Sequence, residues 1–343
     1  MNRVVEALPE AGRAGRETLV ELDRLSVDYV LPGRRVRAVD GVSLDIHAGE
    51  IVGLAGESGC GKSTTANAIM QILRPPAQVS DGSIRFRGRD LAGLSQEELR
   101  RFRWRNVSLV FQSAMNALNP VTRVGDQFVD MMRAHEKVSK RDALTRAGEL
   151  LELVGIDPRR VRAYPHELSG GMRQRVIVAM ALALGPELVI LDEPTTALDV
   201  VVQREILQEV ETLKRELGFA VLFITHDLSL LLEFADRIAI MYAGEIVELA
   251  AAEALFSKPL HPYTVGLMSS FPPLTGPVER MTGIPGSPPD CADPPPGCRF
   301  HPRCPHCSTE DPVLHALQTA TRPLLREVEP EHVVACHLFG SPS

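Results

Sequence analysis

From about Leu19 to Ser257 short apolar runs alternate with longer stretches of helical period. Ile51 to Ala55, Val107 to Phe111, Leu188 to Leu191 and Ala220 to Thr225 are brief, mainly apolar and followed by a polar or turn residue, a pattern that predicts buried strands. Such strands, spaced by helical patterns, predict an α/β domain: a mostly parallel sheet covered by helices. Ligands of these sheets bind at the carboxyl ends of the strands, so the polar residues that end each run are the first candidates for chemistry. Between Ser95 and Leu184 helical signals dominate, beginning with a capping-box pattern at Ser95 and Glu98, and a helical insertion is expected. Past Lys258 the pattern breaks. Proline recurs from Pro259 to Pro302, few regular elements persist through such a run, and a small appended module is expected. The organisation read from the pattern is a tail over 1–18, a domain over 19–258 with a helical subdomain at about 95–184, and a C-terminal extension over 259–343.

Charge and composition narrow the partners. The 343 residues carry 37 Lys and Arg against 44 Asp and Glu, a formal charge of -7, which argues against a nucleic-acid backbone as the main partner and leaves room for a local basic patch. The longest apolar run, Val176 to Leu184, is about half of the roughly 20 residues a membrane-spanning helix needs. The first eighteen residues mix both charge signs without the apolar stretch of a secretion signal and read as a loose cytoplasmic tail. Cys60 stands alone, whereas Cys291, Cys298, Cys304, Cys307 and Cys336 crowd the last fifth of the chain. In a cytosolic protein that clustering favours a metal site over disulfides.

Gly56, Glu57, Ser58, Gly59, Cys60, Gly61, Lys62 and Ser63 spell a phosphate loop, placed after the apolar strand IVGLA and before a helical stretch that starts at Ser63 and Thr64. Glycines let the backbone curl so that its N–H groups and the helix start face phosphates; Lys62 would reach the β and γ groups and Ser63 would hold magnesium. Cys60 is either a small filler of this loop or, beside a helix start, a thiol of lowered pKa that alkylates readily. LVILDEP places Asp192 and Glu193 at a strand end. Alone, the pair would serve as a helix cap; beside a phosphate loop, Asp192 suits magnesium and Glu193 suits activation of the attacking water. LSGGMRQR brings Ser169, Gly170 and Gly171 to a second helix start, either a plain glycine turn or another anion site.

The phosphate loop, LSGGMRQR and LDEP, in this order and spacing, resemble the nucleotide-binding subunits of ABC transporters over about 240 of the 343 residues. The resemblance implies the phosphate-loop ATPase fold of that family. Gln112 looks like the Q-loop glutamine that senses magnesium and the membrane partner; Ala197, Leu198 and Asp199 look like the D-loop. His226 matches the switch histidine that contacts the γ-phosphate and aligns Glu193 with the water, and Tyr29 is placed like the aromatic that stacks on adenine. The resemblance implies ATP and Mg2+ as cofactors and a head-to-tail pair of ATPase subunits, each ATP held by the loop of one and by Ser169, Gly170 and Gly171 of the other. It also implies a peripheral place on the cytoplasmic face of the membrane, with two transmembrane permease subunits and an extracytoplasmic substrate-binding protein.

FQSAMNALNPVTRVGDQ, DEPTTALDVVVQ, KPLHPYT and GCRFHPRC with a distant ACH resemble the ATPases of oligopeptide and dipeptide importers and their nickel and glutathione relatives. Cargo would be chosen by the binding protein and the channel. Cys298, Cys304, Cys307 and Cys336, spaced C-x5-C-x2-C-x28-C, suit either a 4Fe-4S cluster, as that resemblance implies, or Zn2+ with help from His301, His306 or His337. Cys291 could replace one of the four, and a tail without metal stays open. PRCPHC shortens a gap that is usually longer in those relatives. Two rivals to transport are a soluble ABC ATPase acting on DNA or ribosomes, against which the acidic balance counts, and a regulator using ATP only as a switch, against which Glu193 and His226 count.

Overall fold

The computed structural model describes residues 17–111, 117–194, 199–269, 283–307 and 309–340. Its strands are β1 (Thr18–Leu31), β2 (Arg34–His47), β3 (Ile51–Ala55), β4 (Ala77–Phe86), β5 (Arg89–Asp90), β6 (Val107–Val110), β7 (Leu188–Asp192), β8 (Ala220–Thr225), β9 (Arg237–Tyr242), β10 (Glu245–Ala251), β11 (Arg326–Glu329) and β12 (His332–Val334). Its helices are α1 (Lys62–Ile69), α2 (Gln96–Arg105), α3 (Val124–His135), α4 (Lys140–Leu153), α5 (Gly170–Leu182), α6 (Val200–Leu217), α7 (Leu228–Phe234), α8 (Ala252–Ser257), α9 (Pro262–Met268) and α10 (Pro312–Ala320).

The main sheet runs β11-β12-β10-β9-β3-β8-β7-β6. From β9 to β6 it is parallel, and every residue of β3, β7 and β8 is buried, which is why these segments read as continuous apolar runs. Alternate side chains of each strand feed opposite faces. Ile51, Leu191 and Phe223 join a core with Phe128, Met132 and Leu151 of the helical stretch; Leu54, Ile190 and Leu222 join another with Leu22, Val27, Val39 and Ile46. Those last four belong to an antiparallel sheet, β2-β1-β4-β5, that covers the second face. The expected strands are present, the capping box at Ser95 and Glu98 opens α2, and β6 lies inside the stretch where helical signals dominate.

The proline-rich extension is not set apart from this sheet. β12 adds to β10, with Val334 opposite Glu248 and Val333 opposite Leu249, and β11 pairs back on β12. Two tail arginines straddle a pair of carboxylates from the cassette: Arg299 and Arg322 each bridge Asp40 and Glu245. Glu248, fully buried, accepts the N–H groups of Leu260 (2.7 Å) and His261 (2.9 Å) and meets Nε2 of His332 at 2.7 Å, so one carboxylate ties β10 to the start of α9 and to β12.

His261 caps α9 with its own ring: Nδ1 accepts the Tyr263 N–H at 3.0 Å. Burial pushes its pKa down to about 3, so the folded protein holds it neutral while the unfolded chain protonates it near pH 6.5. Its contribution is therefore complete above pH 6.5 and falls with pH below that, by about 1.4 kcal/mol per unit, reaching about 2 kcal/mol at pH 5. His261→Asn retains a capping side chain without that titration. Denaturation at pH 7 and pH 5 should show the parent losing about 2 kcal/mol more than the variant; equal losses would place the acid sensitivity elsewhere.

Candidate active site

The loop from Gly56 to Gly61 links β3 to α1, and at its two ends it is pressed so close to its surroundings that a side chain is barred. A Cβ at Gly56 would stand 2.1 Å from the Met241 carbonyl oxygen, and one at Gly61, whose φ is 112°, 2.4 Å from the Ala38 carbonyl oxygen. Only glycine accepts both the contact and the left-handed backbone at Gly61. Lys62 is buried along its stem, and its Nζ donates to the carbonyl oxygens of Gly56 (2.7 Å) and Glu57 (3.0 Å). Three strand ends bring the remaining groups to the loop. At the end of β7, Asp192 accepts the Ser63 hydroxyl at 3.1 Å, and burial raises its pKa against the pull of that hydrogen bond. Two hard oxygens at this separation are the donor chemistry that Mg2+ takes, and the residues fit that ion.

Glu193 follows in a left-handed backbone, φ 46°, with its N–H donated to the Ile224 carbonyl at 2.9 Å. A non-glycine residue there stores on the order of 1–2 kcal/mol of strain, held by the sheet at a turn that aims the carboxylate into the cleft. His226, just past β8, puts Nδ1 3.4 Å from Oε1 of Glu193; the glutamate side chain is 14% exposed and the histidine 58%. Tyr29 on β1 reaches across, its hydroxyl 3.3 Å from that of Thr64. Tyr29, Lys62, Ser63, Thr64, Glu193 and His226 line one cleft of about 760 Å³. Ala38 and Leu267 line it too. No motif announced either, because their place depends on how β2 and α9 pack and not on local chemistry.

Ser169, Gly170, Gly171 and Asp199 meet at a different cleft, of about 430 Å³. Ser169 caps α5 by accepting the Met172 N–H at 3.2 Å, and Asp199 caps α6 by accepting the Val202 N–H at 3.0 Å. Within one chain the two helix starts expected to bind anions thus line separate clefts. Gln112, Ala197 and Leu198 lie outside the described residues.

Of the two readings of Cys60 the structure favours the small filler, and the metal cluster expected in the tail finds no support. The Cys60 thiol is 5% exposed, and burial pushes its pKa up, outweighing the Lys62 ammonium 3.8 Å from the sulfur. Desolvation of a thiolate exceeds the pull of the helix start, so the thiol is an inert filler. In the tail, Cys298, Cys304, Cys307 and Cys336 share a neighbourhood, yet among the described residues no three His, Cys, Asp or Glu side chains gather as a metal-holding group. Burial raises the thiol pKa of Cys298 to about 12 and that of Cys336 to about 11. His301 donates from Nδ1 to the Cys298 carbonyl and His337 from Nε2 to that of Thr321. The 4Fe-4S or Zn2+ fastening expected here thus finds no support among the described residues, where strand pairing and arginine–carboxylate contacts tie the tail to the cassette.

A glycine loop and lysine closing a parallel sheet, an oxygen pair suited to Mg2+, and a glutamate–histidine pair at the neighbouring strand ends define a phosphate-loop nucleoside triphosphatase. Residues 39–196 match the ABC transporter family, and residues 247–310 match the oligopeptide/dipeptide transporter C-terminal region. The chain is 46% identical to the dipeptide transport ATP-binding protein DppD of Bacillus subtilis (strain 168), over 84% of this chain and 88% of that one. It is likewise 46% identical to the oligopeptide transport ATP-binding protein OppD of the same organism, over 82% and 80%. Among solved structures it resembles the dimeric ATP-binding cassette MJ0796 in a post-hydrolysis state bound to ADP and Pi, with 29% identity and a TM-score of 0.61 over 68% of this chain and 99% of that one. It also resembles cbiO1 of Clostridium perfringens, part of the ABC transporter complex cbiONQ, with 26% identity and a TM-score of 0.62 over 71% and 92%. The chain belongs to the ATP-binding proteins of ABC transporters.

Proposed function

We propose that this protein is the ATP-hydrolysing subunit of an importer for dipeptides or oligopeptides, working at the cytoplasmic face of the membrane as one of two ATPase subunits. The observation that carries the reading is the shared cleft of Lys62, Ser63, Glu193 and His226, and the peptide branch is supported by the match over residues 247–310. No helix among the described residues is long and apolar enough to cross a membrane. The relatives named as transport ATP-binding proteins support a pair of permease subunits as the path for cargo, fed by an extracytoplasmic substrate-binding protein. Phe111, 50% exposed, and Val121, 81% exposed, flank the segment of Gln112 and offer apolar surface to a permease.

Catalysis follows from the positions. Lys62 and the loop N–H groups hold the β- and γ-phosphates; Ser63 and Asp192 would hold Mg2+, which would neutralise phosphate charge. Tyr29 stacks on the adenine. Glu193 takes a proton from water as its oxygen bonds to the γ-phosphorus, the bond to the β-phosphate oxygen breaks, and ADP and phosphate leave. His226 holds Glu193 and the γ-phosphate in line. Ser169, Gly170, Gly171 and Asp199, remote from this cleft in their own chain, serve the nucleotide of the neighbouring subunit. ATP thereby favours the closed pair and hydrolysis opens it. The test is the intact complex reconstituted with its binding protein: peptides that bind that protein should raise ATP hydrolysis several-fold. Stimulation by a nickel chelate or glutathione and not by peptides would move the cargo to those relatives, and stimulation by nucleic acid would end the transport reading.

A further inference from the structure

We propose that Arg303 and Tyr263 are positioning residues for the phosphate loop, acting through Glu57, so that the C-terminal extension sets the affinity of the cassette for ATP. This rests on the ATPase reading and goes beyond it. Glu57, the second residue of the loop, is held from the tail side by three contacts. Its N–H donates to the Tyr263 hydroxyl at 2.9 Å, and its carboxylate is forked by Arg303, Nη1 to Oε2 at 2.7 Å and Nη2 to Oε1 at 3.0 Å. Its carbonyl accepts Lys62, so a single residue links the tail to the phosphate-binding lysine.

The arginine is built into place. It is 7% exposed, its Nε donates to the Pro285 carbonyl at 2.8 Å, and Nη1 also reaches the Tyr242 hydroxyl at 3.3 Å. The guanidinium lies 5.8 Å from the Tyr242 ring centre and 6.0 Å from that of Phe300. Those rings pack on each other and on Tyr263, with centres 4.6 to 5.5 Å apart. A planar fork fixed on all sides matches a carboxylate better than any flexible cation. The tail touches the loop once more where the Cys291 thiol meets the Gly59 carbonyl at 3.7 Å.

The charge makes this more than packing. Glu57 lines the cleft that receives a polyphosphate, and an unpaired carboxylate there repels it. Arg303 neutralises that charge and fixes its direction. Losing Arg303 therefore frees a negative group at the mouth of the site and loosens the carbonyl that meets Lys62, both of which weaken nucleotide binding. Glu193, His226 and Asp192 are untouched, so turnover at saturation should change little.

The experiment is ATP hydrolysis against ATP concentration on the full chain, with thermal unfolding alongside. Arg303→Ala is expected to raise KM for ATP about tenfold with kcat within about threefold, and Arg303→Lys to recover part of the loss. Adding Glu57→Gln to Arg303→Ala should restore much of the affinity, because the freed charge is gone; a merely structural role for Arg303 would not respond. Lys258→Ala, which breaks an exposed tail pair with Glu329, should leave KM unchanged. If Arg303→Ala fails to fold, Tyr263→Phe takes its place, keeping the ring and removing the acceptor of the Glu57 N–H, with KM raised about threefold. An unchanged KM in a folded Arg303→Ala chain, or no recovery in the double variant, overturns the proposal. A parent chain that hydrolyses no ATP overturns instead the reading beneath it.

Discussion

Glu193→Gln is expected to keep ATP affinity within about twofold and to lower turnover by roughly a hundredfold or more, the scale for losing a general base. The amide has the shape of the carboxylate and can lodge at the same strained turn, where the N–H donated to Ile224 holds the backbone. What it lacks is a basic oxygen for the water proton. Affinity survives because Lys62, the loop N–H groups and the Ser63–Asp192 pair do not depend on the residue at 193. His226 loses an anionic neighbour at 3.4 Å but keeps a hydrogen-bonding one, so alignment is weakened less than proton transfer. Equilibrium binding of a fluorescent ATP analogue beside steady-state hydrolysis separates the two effects. Unchanged hydrolysis would remove Glu193 from the mechanism.

The parts legible in the sequence are those whose physics is local. A phosphate loop must be contiguous, so GESGCGKS shows itself with its strand and helix start, and an acidic pair at the end of β7 is visible because a buried parallel strand is an unbroken apolar run. The antiparallel sheet was not legible in the same way. β1 and β2 shift register around Leu22, Leu25 and Val27, which breaks the alternation that marks a half-buried strand. β11 and β12 are hidden behind the proline-rich run and by their shortness, four and three residues, of which only β12 meets β10 and β11 pairs back on β12. Cysteine spacing leaves the metal question open for a related reason: C-x5-C-x2-C-x28-C constrains the chain and not the thiols, whose approach to one another depends on the fold around them. Cys60 kept two readings in the sequence because the helix start is visible there while burial, which favours the filler, is not. Arg303 lies in the GCRFHPRC string, but nothing in the string points to its carboxylate, which lies 246 residues earlier.

Ser169→Asp tests whether a subunit is complete by itself. Asp caps a helix as well as Ser does, and its charge suits the positive end of α5, so the fold should hold and the Met172 N–H should keep its acceptor. The same charge, placed beside Gly170 and Gly171, would face the γ-phosphate brought by a neighbouring subunit. Two unit charges at about 4 Å repel by about 4 kcal/mol at the effective dielectric near a protein surface, about a thousandfold in an equilibrium constant. Hydrolysis is therefore expected to fall at least a hundredfold, while ATP binding to the chain's own loop, in a separate cleft, changes by less than about twofold. Ser169→Asn, which caps without charge, should retain most of the activity. In the parent, specific activity should drop on dilution as the pair dissociates and recover on reconcentration. A Ser169→Asp chain that hydrolyses ATP at the parent rate, or activity per molecule that ignores dilution while scattering reports single chains, would mean that α5 serves no neighbour and that the cleft of Lys62 and Glu193 works alone.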